Sequence, residues 1–212
     1  GIITANIVRV LKLHAFDPAF EPLAEATRGA LLPDSSGVVC PEVLAAARGR
    51  SNQQAVFLDS FGRAYSLPAH SLPSARGLGE PLTSRFAPGE GAQFLYVICG
   101  DAKQTMVLAS SFGYGFVTET GNLHSKMKAG KAMITLPGDS KPVQPAVISS
   151  DDADTVVCVT SDGYLLVFPL SELPALSKGK GNKLINIPPK RLKAGEEYML
   201  GMVVGAEREE VL

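Results

Sequence analysis

Short apolar runs separated by tight turns dominate this chain, and three pairs of them share one pattern. Each pair consists of an apolar segment, a turn that contains glycine, and a second apolar segment, which is typical of a β-hairpin. A two-residue hairpin turn requires positive φ, which glycine adopts without strain and Asn adopts more readily than other residues. Hairpins are predicted at 55–67, 106–117 and 156–168, with turn residues Gly62, Gly113 and Gly163, and a weaker copy at 2–11 has Asn6 at the turn.

The hairpins recur with a period of about 50 residues. Their turn glycines are 51 and 50 residues apart, and a basic, glycine-rich loop follows each of the three hairpins. The central glycines of these loops, Gly79, Gly130 and Gly181, are separated by 51 residues each. Such spacing indicates an internal repeat. Beyond its hairpin, each repeat has a short predicted strand (82–86, 132–136, 183–187) and a last predicted strand (94–99, 143–149, 198–204), which makes about four strands per repeat.

Repeats of this kind predict an all-β fold. A lone four-stranded unit cannot cover both of its faces, so a propeller-like array of blades fits the pattern better than a sandwich. We predict one domain, or a fragment of one, over 1–212. Its first repeat is degenerate, because the matching pieces at 28–32 and 43–47 lie farther from their hairpin turn than in the other repeats. Residues 41–48 are compatible with a helix, although the repeat register favours a strand there. The predicted units are 1–50, 51–101, 102–152 and 153–206, followed by an acidic tail at 207–212.

The composition is that of a globular chain. Its 212 residues, 45% of them hydrophobic, are enough for one large core or two small ones. No apolar run is long enough to span a bilayer, and the N-terminal residues lack the features of a signal peptide, so we expect a soluble intracellular protein. The cysteines lie far apart and the histidines lack metal-site spacing, which predicts reduced thiols and no metal site. These residues are Cys40, Cys99, Cys158, His14, His70 and His124.

The residues that could carry catalysis do not form a recognisable site. The acidic cluster of Asp151, Asp152 and Asp154 lacks the glycine and the distal glutamate of a calcium-binding loop. The serine pairs have no nucleophile-elbow glycines around them, and no Gly-Lys-Ser or Gly-Lys-Thr motif is present to bind a nucleotide phosphate. We therefore expect a noncatalytic chain with no cofactor of its own.

The charge is balanced overall but unevenly distributed. The chain has 20 basic and 21 acidic residues, a formal net charge of −1, whereas a strong DNA-wrapping protein is usually basic. Between Lys178 and Lys193 there are six basic residues and no acidic one, while acids gather at 151–154 and 207–210. Separate patches of each sign permit DNA binding on one side of the molecule, and they predict weaker binding than a full DNA wrapper shows.

A family resemblance is carried most sharply by residues 72–82, 128–137 and 176–188. Within 43–204, the chain resembles the C-terminal β-pinwheel domain of the A subunit of bacterial topoisomerase IV, which belongs to one family with the C-terminal domain of the gyrase A subunit. Gyrase carries the box Gln-Arg-Arg-Gly-Gly-Lys-Gly, which no loop of this chain preserves. Arg76-Gly77-Leu78-Gly79 and Lys178-Gly179-Lys180-Gly181 look like eroded forms of that box, a departure typical of topoisomerase IV.

The resemblance implies a β-pinwheel of four-stranded blades of about 50 residues, in a closed, open or broken ring with DNA along its outer edge. It implies a DNA-binding and DNA-bending domain that presents the transported duplex to the cleavage core of a type IIA topoisomerase for decatenation and supercoil relaxation. The ATP and Mg²⁺ of the holoenzyme would be used elsewhere. The implied partners are double-stranded DNA, a condensin-type chromosome protein, the ATPase B subunit of the enzyme, and the rest of the A subunit. The implied location is the chromosome in the bacterial cytoplasm.

The glycine-rich basic loops are the candidate DNA contacts. Glycine lets backbone N–H groups approach an anion closely, and flanking lysine and arginine side chains neutralise phosphates without reading bases. Asn6, Gly62, Gly113 and Gly163 are instead expected to be structural turn residues. The predicted DNA-binding residues are Arg76, Arg85, Lys126, Lys128, Lys131, Lys178, Lys180, Lys183, Lys190 and Arg191.

Two alternatives to this interpretation stay open. Each loop, taken alone, is also compatible with a solvated linker whose lysines serve solubility, and it is the recurrence together with the resemblance that favours a phosphate contact. A propeller-type protein-interaction scaffold without DNA binding would also suit the near-neutral charge. Binding of duplex DNA at two salt concentrations separates the scaffold from the DNA-binding domain.

Overall fold

Antiparallel strands make up most of the regular structure. A computed structural model describes residues 7–8, 45–73, 80–149 and 153–206. The described strands form three antiparallel sheets and a two-stranded pair, so the predicted all-β fold is confirmed. The elements are β1 (Ile7–Val8), β2 (Arg48–Gly49), β3 (Gln54–Asp59), β4 (Arg63–Pro68), β5 (Phe94–Gly100), β6 (Thr105–Ser110), β7 (Tyr114–Glu119), β8 (Lys131–Ala132), β9 (Ala146–Val147), β10 (Thr155–Thr160), β11 (Leu165–Pro169), β12 (Asn182–Lys183), α1 (Pro189–Ala194) and β13 (Met199–Gly205).

The three main hairpins form where the sequence predicts them, but their turns are three residues long instead of two. In the third hairpin the Thr160 amide donates to the Tyr164 carbonyl at 2.9 Å, so the turn is 161–163 although β11 begins at Leu165. β3 pairs with β4, β6 with β7 and β10 with β11. In each turn the glycine N–H donates to the carbonyl three residues before it, at 3.0 Å for Gly62 and 2.9 Å for Gly113 and Gly163. The φ angles of these glycines are +73°, +76° and +83°. A three-residue turn of this type ends in a left-handed residue, a conformation that glycine adopts without steric cost.

The first two sheets each contain a strand from the following repeat. Their strand orders are β5-β3-β4-β8 and β9-β6-β7-β12. β8 follows the second hairpin in the chain but pairs with β4 of the first, and β12 follows the third hairpin but pairs with β7 of the second. We call β8 and β12 the capping strands. The sheets are therefore offset from the predicted units of about 50 residues, whose boundaries stay a prediction.

The third sheet has three strands in the described part of the chain, in the order β11-β10-β13. Its edge strand β11 exposes large apolar side chains, with Leu165 at 63% and Val167 at 53% of their full exposure. The equivalent strands β4 and β7 are covered by the capping strands. No closed ring forms among the described residues.

The turn glycines lie directly against the residues that follow the capping strands. The amides of Met133 and Ile134 donate to the Gly62 carbonyl at 2.9 and 3.1 Å, and the Leu184 amide donates to the Gly113 carbonyl at 2.7 Å. A Cβ atom on Gly62 would lie 2.6 Å from the Ile134 carbonyl oxygen, which is closer than van der Waals contact allows. Glycine is therefore required at this turn for the approach of the next repeat as well as for positive φ.

Apolar side chains from neighbouring sheets interlock to form the core. One cluster joins β3 to β6 through fully buried residues such as Val56, Leu58, Met106 and Leu108. A second cluster joins β6 to β10 and includes the residues that follow β12. The other face of β3 packs an aromatic cluster in which ring centroids lie 5.2–6.4 Å apart, within the range of favourable edge and tilted contacts. That cluster consists of Phe57, Tyr65, Phe86 and Phe94.

The short strands predicted after the loops are shorter than expected or absent. The strand predicted at 82–86 is wrong, because Leu82–Ser84 forms a 3-10 helix entered from Pro81. Proline has no N–H for a strand ladder, and prolines border or interrupt these segments at Pro81, Pro137, Pro145 and Pro188. By contrast, the last strands predicted at 94–99 and 198–204 form with only small changes in their bounds. Three further predicted strands shrink to two residues each: 132–136 to β8, 143–149 to β9 and 183–187 to β12.

Part of the degenerate first repeat can be described. β1 pairs with β2 in the register Ile7 to Gly49 and Val8 to Arg48, while residues 45–47 are neither helix nor strand. Other predicted features lie outside the described residues. These are Asn6, His14, the repeat piece at 28–32, Cys40, the first part of 41–48, the loop from Arg76 to Gly79, Asp151, Asp152 and the acidic tail at 207–212.

A matched pair of glycine substitutions tests the packing of the capping strands. Gly163 has a φ of +83° but open space around its Cβ position, so Gly163→Ala should lower the free energy of unfolding by about 1 kcal/mol through backbone strain alone. Gly181 has a similar φ of +76°, but its Cβ would overlap the Gly115 carbonyl oxygen. Gly181→Ala should therefore cost a further 2 kcal/mol or so from overpacking. Urea denaturation measures both, and equal losses would contradict the close strand contact.

Candidate nucleic-acid interface

Two of the three basic loops occupy equivalent positions in successive sheets. Gly130 lies just before β8, and a Cβ there would meet the Tyr65 ring at 2.6 Å. Gly181 lies just before β12, and its Cβ would meet Gly115 and Phe116 of the preceding hairpin. The φ angles of Gly130 and Gly181 are +69° and +76°. Packing against the preceding hairpin therefore accounts for both glycines, independently of any ligand.

Two glycine amides of these loops already have protein acceptors. The Gly130 N–H donates to the Met127 carbonyl at 3.0 Å, and the Gly179 N–H donates to the Met133 carbonyl at 2.9 Å. The Gly179 carbonyl in turn accepts from the Thr135 amide at 2.8 Å. The sequence predicted that the loop amides would be directed at an anion. These two amides are directed at protein carbonyls instead. The exposed lysine side chains are therefore stronger candidates for a phosphate contact than these two amides.

The lysines of the two loops are exposed and lie close together along each loop. Lys126 and Lys128 precede β8, and Lys178 and Lys180 precede β12. The Lys180 ammonium nitrogen lies 3.7 Å from the centroid of the Tyr114 ring. The ion pairs found among the described residues involve none of these lysines, so their charges are not neutralised by described carboxylates.

Three further predicted lysines lie on or beside these segments. Lys131 donates to the Asn122 carbonyl at 2.7 Å, and Lys183 donates to the Asn186 side-chain oxygen at 2.7 Å. These acceptors are uncharged, so both side chains keep a net positive charge to offer an anion. Lys190 is exposed on α1, which begins with Pro189 at the first helical position, a site where the missing proline N–H costs nothing.

The two described arginines of the predicted set are paired within the protein. Arg85 makes a two-point contact with Glu80, with N–O distances of 2.9 and 2.8 Å, and this contact lowers the pKa of the Glu80 carboxyl. Arg191 contacts Asp162 at the third hairpin turn, and it lies 2.9 Å from a carboxylate oxygen of the buried Glu197. Protein carboxylates therefore already compensate both guanidinium charges. Arg76 lies outside the described residues, and a DNA role for all ten residues stays a prediction.

Sequence reasoning missed two residues that contact the loops. Arg63 donates from Nε to the Ala129 carbonyl and from Nη2 to the Gly130 carbonyl, both at 2.9 Å. Tyr114 supplies the ring beneath Lys180. Both residues directly follow a turn glycine, and this equivalent position in two repeats could have identified them from the sequence.

Neither a metal site nor a reactive thiol is evident in this region. Within the described ranges, no group of three or more His, Cys, Asp or Glu side chains is placed to hold a metal ion. Cys99 and Cys158 are free thiols, and burial raises the pKa of Cys158 to about 11, which keeps it protonated at neutral pH. No helix in the same ranges is long and apolar enough to cross a membrane.

Comparison with known proteins shows the family. The sequence model of the protein family described as "DNA gyrase C-terminal domain, beta-propeller" matches residues 154–204. The A subunit of DNA topoisomerase 4 from Pseudomonas aeruginosa is 52% identical over 160 residues, which are 76% of this chain and 21% of that protein. The solved structure of the E. coli ParC C-terminal domain is 43% identical, with a TM-score of 0.72 over 78% of this chain and 67% of that chain. The chain belongs to the family of C-terminal domains of the topoisomerase IV A subunit.

Two solved structures of low sequence identity to this chain share its fold. A crystal structure of the C-terminal domain of DNA topoisomerase IV has a TM-score of 0.66 at 18% identity, over 88% of this chain and 56% of that chain. The gyrase A C-terminal domain has a TM-score of 0.58 at 11% identity, over 76% of this chain and 51% of that chain. The predicted family and its β-pinwheel fold are thus confirmed. The chain spans about a fifth of the length of the curated relatives it matches.

The pairing of Arg191 predicts a structural role for it in this family member. Glu197 is 4% exposed in its side chain, so Arg191→Ala would leave a buried carboxylate without its cation. We expect a clear fall in the urea midpoint. Arg85→Ala is the matched control, because its partner Glu80 is 33% exposed and water can replace the lost contact. Equal, small changes in the two variants would contradict this role for Arg191.

The partial burial of His124 predicts a dependence of stability on pH. Burial and the charge of Lys131 lower the pKa of His124 below its ordinary value of 6.5. The unfolded chain therefore binds a proton at a higher pH than the folded domain, and stability is lost as the pH falls through and below 6.5. Melting temperatures between pH 7.5 and about 5 should fall less steeply in His124→Gln than in the parent. Identical slopes would show that this histidine does not contribute.

Proposed function

We propose that this domain binds and bends duplex DNA along its lysine loops and presents the transported duplex to the cleavage core of a type IIA topoisomerase. The domain is noncatalytic and serves decatenation and supercoil relaxation by the whole enzyme. The observation that carries the proposal is the repetition of one arrangement. An exposed lysine loop precedes the capping strand in each of two successive sheets, at Lys126 to Lys128 and at Lys178 to Lys180.

Such an arrangement suits the phosphate backbone of DNA. Lysines at equivalent places in two successive sheets form separate cationic points, and we infer that a duplex held at both points bends to follow the sheets. Lysine neutralises phosphate charge without the geometry needed to read bases. The binding is therefore independent of base sequence. The net charge of −1 fits a local binding path better than extensive wrapping.

The remaining partners follow from the family. The rest of the A subunit precedes a domain of this kind, and in the intact enzyme we expect the ATPase B subunit to supply ATP hydrolysis with Mg²⁺. A condensin-type chromosome protein is a further proposed partner. We propose that the domain acts at the chromosome in the bacterial cytoplasm.

One observation favours a second candidate function, a protein-interaction scaffold. The edge strand β11 presents Leu165 and Val167 to solvent, each more than half exposed. An uncovered apolar strand edge is a surface on which another polypeptide strand can add. This function does not require the lysine loops, so loop variants distinguish it from DNA binding.

The proposal is tested with two double variants that remove equal charge. Lys128→Ala with Lys178→Ala removes one lysine from each loop, whereas Lys103→Ala with Lys141→Ala removes two exposed lysines elsewhere. The loop variant should weaken binding to every duplex sequence alike and reduce the slope of log affinity against log salt by about 2 units. The control variant should keep most of the parent's slope of log affinity against log salt. Fluorescence anisotropy with two unrelated duplexes measures both.

Two outcomes would contradict DNA binding through the loops. One is an unchanged slope in the loop variant, and the other is an equal loss in the two variants, which would show that only overall charge matters. Bending is measured separately, by energy transfer between dyes at the two ends of a bound duplex. An end-to-end distance that does not shorten on binding would remove bending from the proposal.

A further inference from the structure

The residue that follows each turn glycine contacts the basic loop of the next repeat. In the first hairpin this residue is Arg63, whose guanidinium donates to the Ala129 and Gly130 carbonyls at 2.9 Å each. In the second hairpin it is Tyr114, whose ring lies 3.7 Å beneath the Lys180 ammonium. The chemistry differs, but in both cases a hairpin side chain holds a loop that belongs to the next repeat.

The sheet register shows that the two contacts are equivalent. Arg63 lies opposite Ala132 of one capping strand, and Tyr114 lies opposite Lys183 of the other. The side chains at this position therefore lie beside the incoming strand and reach the loop that precedes it.

We propose that Arg63 and Tyr114 are positioning residues for the lysine loops, and that they fix the loops in the geometry that a DNA duplex meets. This inference rests on the proposed function. A lysine side chain loses considerable rotamer freedom when it is held against a ligand, so a lysine already held in place binds a phosphate at a lower entropic cost. The Tyr114 ring contacts one side of the Lys180 ammonium and leaves other N–H groups to donate to phosphate.

The third hairpin supplies an internal control. Tyr164 has the same place after its turn glycine as Tyr114, but it is 63% exposed, and β11 has no capping strand in the described part of the chain. Replacing this ring removes the same chemical group without touching a described lysine loop. Tyr164→Leu is therefore the matched partner of Tyr114→Leu.

The role of Tyr114 is tested by a double-mutant cycle for DNA affinity at fixed salt. Tyr114→Leu changes no charge and should weaken binding about two- to fivefold, the range expected for an exposed cation–π contact. Tyr114→Phe keeps the ring and should bind like the parent, as should Tyr164→Leu. In a Lys180→Ala background, Tyr114→Leu should cause no further loss. A loss that persists without Lys180, or a Tyr114→Phe variant as weak as Tyr114→Leu, would overturn the role of Tyr114.

A measurement without DNA separates this inference from the proposed function. The Tyr114 ring current should shift the Lys180 side-chain methylene protons upfield in the NMR spectrum of the free protein, and Tyr114→Leu should abolish the shift. Absence of the shift in the parent overturns the positioning of Lys180. A parent that shows the shift but does not bind duplex DNA overturns the proposed function and leaves the contact itself in place.

Hydrogen exchange tests Arg63 in the same DNA-free state. Arg63→Gln removes both contacts to the loop carbonyls, so exchange at the Gly130 amide, which donates to Met127, should accelerate several-fold. Exchange at the Leu184 amide, which follows β12 and donates to the Gly113 carbonyl, should not change. Equal exchange at Gly130 in parent and variant would overturn the positioning role of Arg63.

Discussion

Backbone pairing between a capping strand and the preceding hairpin is the interaction on which the other features of this domain depend. It joins β8 to β4 and β12 to β7, so two of the sheets are completed only when the next repeat has folded onto them. The turn carbonyls of Gly62 and Gly113 accept amides from the segments that follow these strands. Neighbouring repeats are thereby joined through hydrogen bonds as well as through the apolar clusters between sheets, which links their stabilities.

The same pairing gives the glycines of the basic loops a structural explanation. Gly130 and Gly181 lie against the preceding hairpin so closely that a Cβ would overlap Tyr65 in one case and Gly115 in the other. A glycine-rich, lysine-rich sequence therefore combines two separate properties. The glycines let the strand approach, and the lysines remain exposed at the place where the chain enters the sheet. A DNA path along these loops would follow from the way the sheets are assembled.

Three of the described arginines and the exposed loop lysines have different roles in this domain. Arg63, Arg85 and Arg191 all donate to acceptors within the protein, two of them to carboxylates and one to loop carbonyls. The planar guanidinium suits such fixed, several-point contacts, whereas the flexible ammonium of lysine suits an exposed site that meets a mobile phosphate backbone. Counting all basic residues as one set therefore overestimates the charge available to DNA.

The sequence by itself determined the hairpins, the period of about 50 residues, the all-β class and the family. These depend on local properties: alternation of apolar residues, positive φ at Gly62, Gly113 and Gly163, and recognisable loop motifs. Tertiary structure decided which strands pair across repeats, because two-residue strands such as β8 carry no pattern of their own. It also decided that Arg191 would pair with Asp162 and Glu197, since the Asp162 contact joins residues 29 positions apart. Nonlocal contacts of this kind depend on how repeats pack, which a linear pattern of charges does not encode.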